Sequence, residues 1–243
     1  TGFNLLLNLS NAIIYSQPEV TPIWRLGLER VQATLDHPIH FGVIFGSTLA
    51  LAFMVLGHGA SPIKRYGVAA LIFVTAFFSL SSGALAMMFL QIMLLGYAIV
   101  MSRLSERWQV FVLVSLAIIA FEVATGAIIS FIIEDFAFNP QTAYNRTRIF
   151  GYGLLNIQAN PVYGIGFNEW VNLPGMSDSV DMFWLLMTMM HGIPAGLMVT
   201  LAYLWLPLSL VARRMPDARL RAYKLGYLIT VTGVFAALWT VHV

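Results

Sequence analysis

Arg146 and Arg148 stand two residues apart in a polar stretch, Glu134 to Asp181, that interrupts an otherwise apolar chain. A guanidinium is always charged and presents a planar fork of donors, so a close pair of them is chemistry for a phosphate or pyrophosphate. Arg30 offers a third such group far upstream, with His37 following it, and Asp181 closes the polar stretch. Between Pro140 and Pro161, the apolar residues Ile149, Phe150, Leu154 and Ile157 recur at helical spacing. That pattern predicts a short amphipathic helix starting near Arg146 and ending at Asn160, because the residue before a proline is pushed out of the helical region. Its amino end would set unpaired backbone N–H groups beside the two guanidiniums, a favourable place for an anion. A loop with this much internal organisation is more than a connector, and chemistry is expected there.

The elements that must hold these residues are membrane helices. Hydrophobic residues make up 59% of the 243 and charged residues 10%, with a mean hydropathy of +0.80. Those values exclude both a soluble globular domain and a disordered chain. The net charge of +2 is small and its basic residues are scattered over short loops, which argues against a nucleic-acid partner. Cysteine is absent, so no disulfide or thiolate metal site exists. His37, His40, His58 and His191 show no i, i+4 pairing with a carboxylate on a common helix, and no metal or cofactor is expected.

Six segments are apolar enough to span or nearly span a bilayer: Phe41 to Leu56, Tyr66 to Leu80, Ala84 to Met101, Trp108 to Ile133, Met182 to Val211 and Leu225 to Val243. A seventh, Phe3 to Tyr15, reads as the end of a truncated helix or an interfacial one. If the segments alternate, Lys64, Arg65, Arg103, Arg107 and the run from Arg213 to Lys224 share one side, which the positive-inside rule makes cytoplasmic. Ser16 to His40, the tight Ser79 to Gly83 turn and the loop 134–181 then face outward. The expected architecture is all-α: a single polytopic transmembrane bundle over residues 1–243, whose outward loop at 134–181 carries the site. The chain opens on TGFNLLLNLS without a Met and closes at TVHV inside an apolar run, so it reads as a fragment of a longer polypeptide.

On these residues the chain resembles the bacterial O-antigen ligase and polysaccharide polymerase family. In that family an arginine precedes an aromatic by four residues, an amphipathic helix follows, and then Asn-Pro-x-x-Gly-x-Gly. Here those positions are Arg146, Phe150, Asn160, Pro161, Gly164 and Gly166. A Ser-x-His or Ser-x-Asp step into the next helix is matched by Ser179 and Asp181, with Gly192 and Gly196 deeper along. Upstream, Arg30, His37, Pro38, Phe41 and Gly42 are similar to an arginine followed by His-Pro and Phe-Gly, and the Phe77 to Leu85 turn is similar to the family's Ser-x-Gly turn. The resemblance covers roughly Arg30 to Trp205. It implies a GT-C-like fold in the bacterial inner membrane. It also implies an inverting, metal-independent glycosyltransferase that takes a glycan from undecaprenyl diphosphate to a glycan or lipid acceptor. Arg30 and Arg146 would then hold the departing diphosphate and offset its growing charge. Asp181, where many ligases have histidine, would be the base or would orient the acceptor hydroxyl.

Other polar residues have plainer readings beside these. Asp181 also suits the first turn of a helix, where the dipole favours an acidic group but weakens it as a base. Arg148 is a second substrate-binding candidate whose alternative, shared with Arg25, is a charge on a long translocated loop. His37 lines an acceptor site or sits satisfied at the interface; Trp170 and Trp184 stack on a sugar or, with Trp24 and Tyr163, form an aromatic belt. His191, about 15 Å deeper along the helix than Asp181, is read as packing beside a Gly192 and Pro194 kink. Glu122, deep in a predicted span, invites a proton relay or a pairing role. Two further classes stand against the enzyme: a polysaccharide or lipid transporter, and a non-catalytic membrane subunit with protein partners.

Overall fold

The computed structural model describes residues 23–35, 37–104, 140–176, 179–180 and 182–239, together with a few isolated positions near the amino end and at 113. Asp181, Glu122 and, apart from Leu113, the expected span Trp108 to Ile133 lie outside the described residues. The chain divides into two compact units, one formed mainly by residues 1–92 and 203–241, the other by 93–202.

The first unit opens with a minimal hairpin, β1 (Trp24–Arg25) and β2 (Leu28–Glu29), paired antiparallel with Arg25 opposite Leu28. Leu26 and Gly27 make its two-residue turn, both with positive φ, the backbone that matches the twist of a tight hairpin. Helix α1 (Pro38–Leu51) starts where Pro38 occupies the first turn and the His37 ring caps it, Nδ1 accepting from the Ile39 N–H at 3.1 Å. It runs on into a π turn, Ala52–Leu56, closed by Gly57 N donating to Ala52 O.

Helix α2 (Pro62–Phe77) is capped by Ser61, and α3 (Ser82–Val100) follows the tight turn. Near the carboxyl end of the chain, α6 (Ala218–Ala237) is capped by Asp217. α1 packs against both α2 and α6. Val43, Ala84, Met87 and Ala237 form the buried apolar centre there.

Gln91, on α3, is fully buried in this apolar setting. Its Oε1 accepts from Ala50 N and its Nε2 donates to Gly46 O, both at 3.0 Å. Gly46 and Ala50 are an i, i+4 pair on α1, so one carboxamide serves both ends of a helical backbone bond just before the π turn.

The second unit contains α4 (Pro140–Ala159) and the first part of α5 (Phe183–Ala212). Ile149, Ile157, Val180, Leu185 and Met189 form its buried cluster. The apolar positions expected on α4 therefore split: Ile149 and Ile157 are buried, while Phe150 and Leu154 are exposed. α5 is two helical pieces in succession, because Gly192 has φ 84 and ψ 168 in its midst. The Gly192 and Pro194 kink read from the sequence is thus a break.

Three helical stretches among the described residues are long and apolar enough to cross a membrane: Pro38–Leu56, Ser82–Arg103 and Phe183–Ala212. The segment expected at Tyr66 to Leu80 is instead the 16-residue α2, which starts at its Ser61 cap and stops at Phe77. The segment expected from Leu225 begins at Ala218, because Asp217 accepts from Arg219 N and so nucleates the helix in the basic loop. The protein is mostly helical, as expected, apart from the small hairpin.

Candidate functional site

In the first unit the hairpin brings Arg25 and Arg30 onto the turn after α2. Arg25 Nη1 donates to Leu80 O and Arg30 Nε to Ser79 O, each at 2.8 Å, while Val31 N donates to Phe78 O at 2.9 Å. The two guanidiniums thus satisfy carbonyl oxygens of the turn between α2 and α3, which no helix ladder pairs. Ser79 and Ser81 are buried here, and Leu80 takes a positive φ of 47° to make the turn.

Arg30 is only 7% exposed, and its Nη2 is buried without a hydrogen-bond partner. Gln32, two residues on, likewise keeps a buried Nε2 unpartnered. Burial, and after it the like charge of Arg25, lowers the Arg30 pKa from the ordinary arginine value to about 10. Burial alone lowers that of Arg25. A buried cation beside another cation, with a donor to spare, is electrostatically incomplete and favours an anion.

His37 is drawn away from a free role at this end, since its ring is the cap of α1 and stands 6.2 Å from the His40 ring. Arg25 is more than a loop charge, and the hairpin that places it is a feature the sequence reading does not contain. Its signal is Arg-Leu-Gly-Leu, a glycine at the second place of a two-residue turn.

In the second unit, α4 starts at Pro140 and not near Arg146. Proline at the first helical position costs no backbone bond, so Pro140 opens the helix it was expected to precede. Arg146 and Arg148 therefore lie in the helix interior, and the free N–H groups of its first turn are not beside them. Both are half-buried. The Arg148 guanidinium stands 5.5 Å from the Tyr144 ring centroid, one helical turn back. The carboxyl end matches expectation: α4 stops at Ala159, ahead of Asn160 and Pro161.

The Asn-Pro-x-x-Gly-x-Gly segment then folds onto the break in α5. Ile165 N donates to Met189 O and Gly166 N to Met190 O, both at 2.9 Å, and Ile193 N donates to Pro161 O at 2.8 Å. These bonds satisfy backbone groups that the interruption at Gly192 takes out of the helical ladder. Gly164 and Gly192 both have positive φ, and a Cβ on either would collide with backbone, at Met190 O and Val162 O respectively. The motif's first glycine and the glycine of the break are thus two sides of one close backbone approach.

Asn156, one turn before the end of α4, fixes the other end of the loop. Its Oδ1 accepts from Val171 N and its Nδ2 donates to Val171 O, each at 2.9 Å. Trp170, half-buried, lines a cavity of about 170 Å³ with Ile165, Asn168, Val180 and Met189. Trp184 is only 5% exposed and packs edge-on against Phe183, so its ring is core and not a face presented to a sugar. His191 is exposed, and the expectation that it packs is not met. Among the described residues no cluster of His, Asp and Glu could hold a metal ion.

The structure thus gathers Arg25, Arg30 and His37 in one unit, and Arg146, Arg148, Trp170 and Trp184 in the other. No protein-family model matches the chain, and no match is found among curated proteins or solved structures.

Proposed function

We propose that this chain is a multi-pass membrane glycosyltransferase of the O-antigen ligase or exopolysaccharide polymerase kind, acting on a diphosphate-linked lipid glycan in the bacterial inner membrane. The observation that carries the reading is the buried, partly unpartnered Arg30 guanidinium with Arg25 close enough to lower its pKa. Such a pair suits a diphosphate, which gains charge as the glycosidic bond breaks and is stabilised by preorganised cations. Arg146 and Arg148 are the second set of cations in this reading, and Asp181 is the group that takes the acceptor's proton or orients its hydroxyl. The glycan or lipid acceptor, the GT-C-like arrangement of helices and any further subunits belong to the same proposal.

A second reading has its own support. Arg25 and Arg30 both hold carbonyl oxygens of the turn between α2 and α3, which is what a purely structural pair in a non-catalytic subunit would do. The deciding experiment is glycan transfer from a lipid-diphosphate donor in proteoliposomes. Arg30→Met is expected to lose transfer by about 10²- to 10³-fold, the usual loss for one preorganised charge-stabilising donor. Transfer at the native rate by a folded Arg30→Met protein would leave the structural reading standing alone.

A further inference from the structure

The break in α5 fixes a depth. At about 1.5 Å per residue, the piece from Ile193 to Ala212 is about 30 Å long, the thickness of a bilayer's hydrocarbon core. Arg213 and Arg214 follow directly, and charged residues of that kind mark one membrane border. Gly192 then stands at the opposite border, and the shorter piece Phe183 to His191 projects into the headgroup layer.

The loop after α4 is bonded at that level through Met189, Met190 and Ile193. Its outward side chains are large and bare: Tyr163 is 87% exposed and Phe167 93%, with Val162 and Val171 also exposed. Asn168 and Glu169 between them are exposed as well. A mixture of aromatic, aliphatic and charged groups is costly in hydrocarbon and wasteful in water. It suits the layer between, where aromatic rings bury their bodies and polar groups stay wet.

We propose that the segment Pro161–Val171 is a lipid-docking loop that lies in the headgroup layer at the end of α5 away from Arg213, with Tyr163 and Phe167 as its anchors. Its partner is the bilayer itself. The backbone bonds to the broken helix set its height, and the two glycines that permit them, Gly164 and Gly192, serve this placement.

The chain has no cysteine, so Tyr163→Cys, Phe167→Cys and Leu201→Cys each give one labelling site. Leu201, exposed on the longer piece of α5, reports the hydrocarbon. Each variant would carry a small environment-sensitive fluorophore in phosphatidylcholine–phosphatidylglycerol vesicles. Quenching is then compared for lipids bearing a nitroxide near the headgroup or deep in the chain. The expected result is at least a twofold stronger quench by the shallow nitroxide at positions 163 and 167, and the reverse order at 201. Three results overturn the proposal: no quenching at 163 and 167, which places them in water or under a second copy or another protein; a stronger quench there by the deep nitroxide; or no deep quench at 201, which removes the membrane border itself.

Discussion

Ile193 donates its backbone N–H to the carbonyl oxygen of Pro161 at 2.8 Å, so the first residue after the break in one helix is held by a residue just past the end of another. The bond exists because Gly192 has left the helical region and Gly164 lets the loop backbone come close. Loop and break are therefore one structure, and each should fail with the other.

Gly192→Ala tests that dependence directly. The added Cβ meets Val162 O, and alanine at a φ of 84° is itself strained. The sum of strain and displacement is expected to cost about 2–4 kcal/mol. In hydrogen exchange, the Ile165 and Gly166 amides should lose their protection, while Ala50, in the other unit, keeps its own. Unchanged protection at Ile165 would mean that the loop does not need the break.

Much of this architecture is legible in the sequence, and the exceptions have physical causes. The apolar lengths of α3 and α5 locate them almost to the residue, and Pro161 ends α4 where a proline must. The start of α4 is not legible in the same way, because proline both excludes helix before it and opens helix after it, and local sequence does not choose between the two. Asn156 and Gln91 are hidden for a different reason: their partners are backbone groups 15 and 41 residues away, and no period or motif records such a bond. A lone glutamine in an apolar helix is nonetheless a signal, since its carboxamide is costly there without partners. The arginine-bearing hairpin is too short for alternation to show.

Gln91 gives the second prediction, in two substitutions. Gln91→Glu can still accept from Ala50 N but, ionised, cannot donate to Gly46 O, and it buries a charge; as a neutral acid it must place its single proton correctly. Gln91→Leu removes both bonds, yet leaves Ala50 N and Gly46 O free to bond each other in the ordinary i, i+4 manner. Glu is therefore expected to destabilise by about 3 kcal/mol or more and Leu by about 1 kcal/mol. Thermal unfolding in detergent would rank them, and a larger loss for Leu would show that the carboxamide is indispensable to α1.

Arg30 makes a prediction about pH and about anions together. Its pKa is lowered on folding from the ordinary arginine value to about 10, so between those values the unfolded chain binds more protons. Stability linked to this group thus rises as pH climbs above about 10 towards the ordinary arginine pKa and is absent below about 10. Arg30→Met removes the slope, and at neutral pH it exchanges a hydrogen bond for relief of a buried charge, for a net change within about 1 kcal/mol. Added pyrophosphate should raise the melting temperature of the native protein and leave Arg30→Met unmoved. Equal stabilisation of both proteins would place the anion elsewhere.

The last prediction separates charge from geometry at Arg146. Because α4 begins at Pro140, Arg146 is held in a helix interior and gains nothing from free N–H groups at a helix start. Any hold on a diphosphate must then come from the guanidinium itself, through its planar pair of donors. Arg146→Lys keeps the charge and the helix, since lysine is about as good a helix former, but it loses the fork. Transfer in proteoliposomes should fall at least about tenfold, the cost of roughly one charged hydrogen bond, while helix content and melting temperature stay as in the native protein. Asp181→Asn, made alongside, should reduce transfer by about 10²- to 10⁴-fold if its carboxylate takes the acceptor's proton, and Asp181→His should restore part of it. Near-native transfer by both Arg146→Lys and Asp181→Asn would remove these residues from the chemistry and leave Arg30 as the sole anchor of the enzymatic reading.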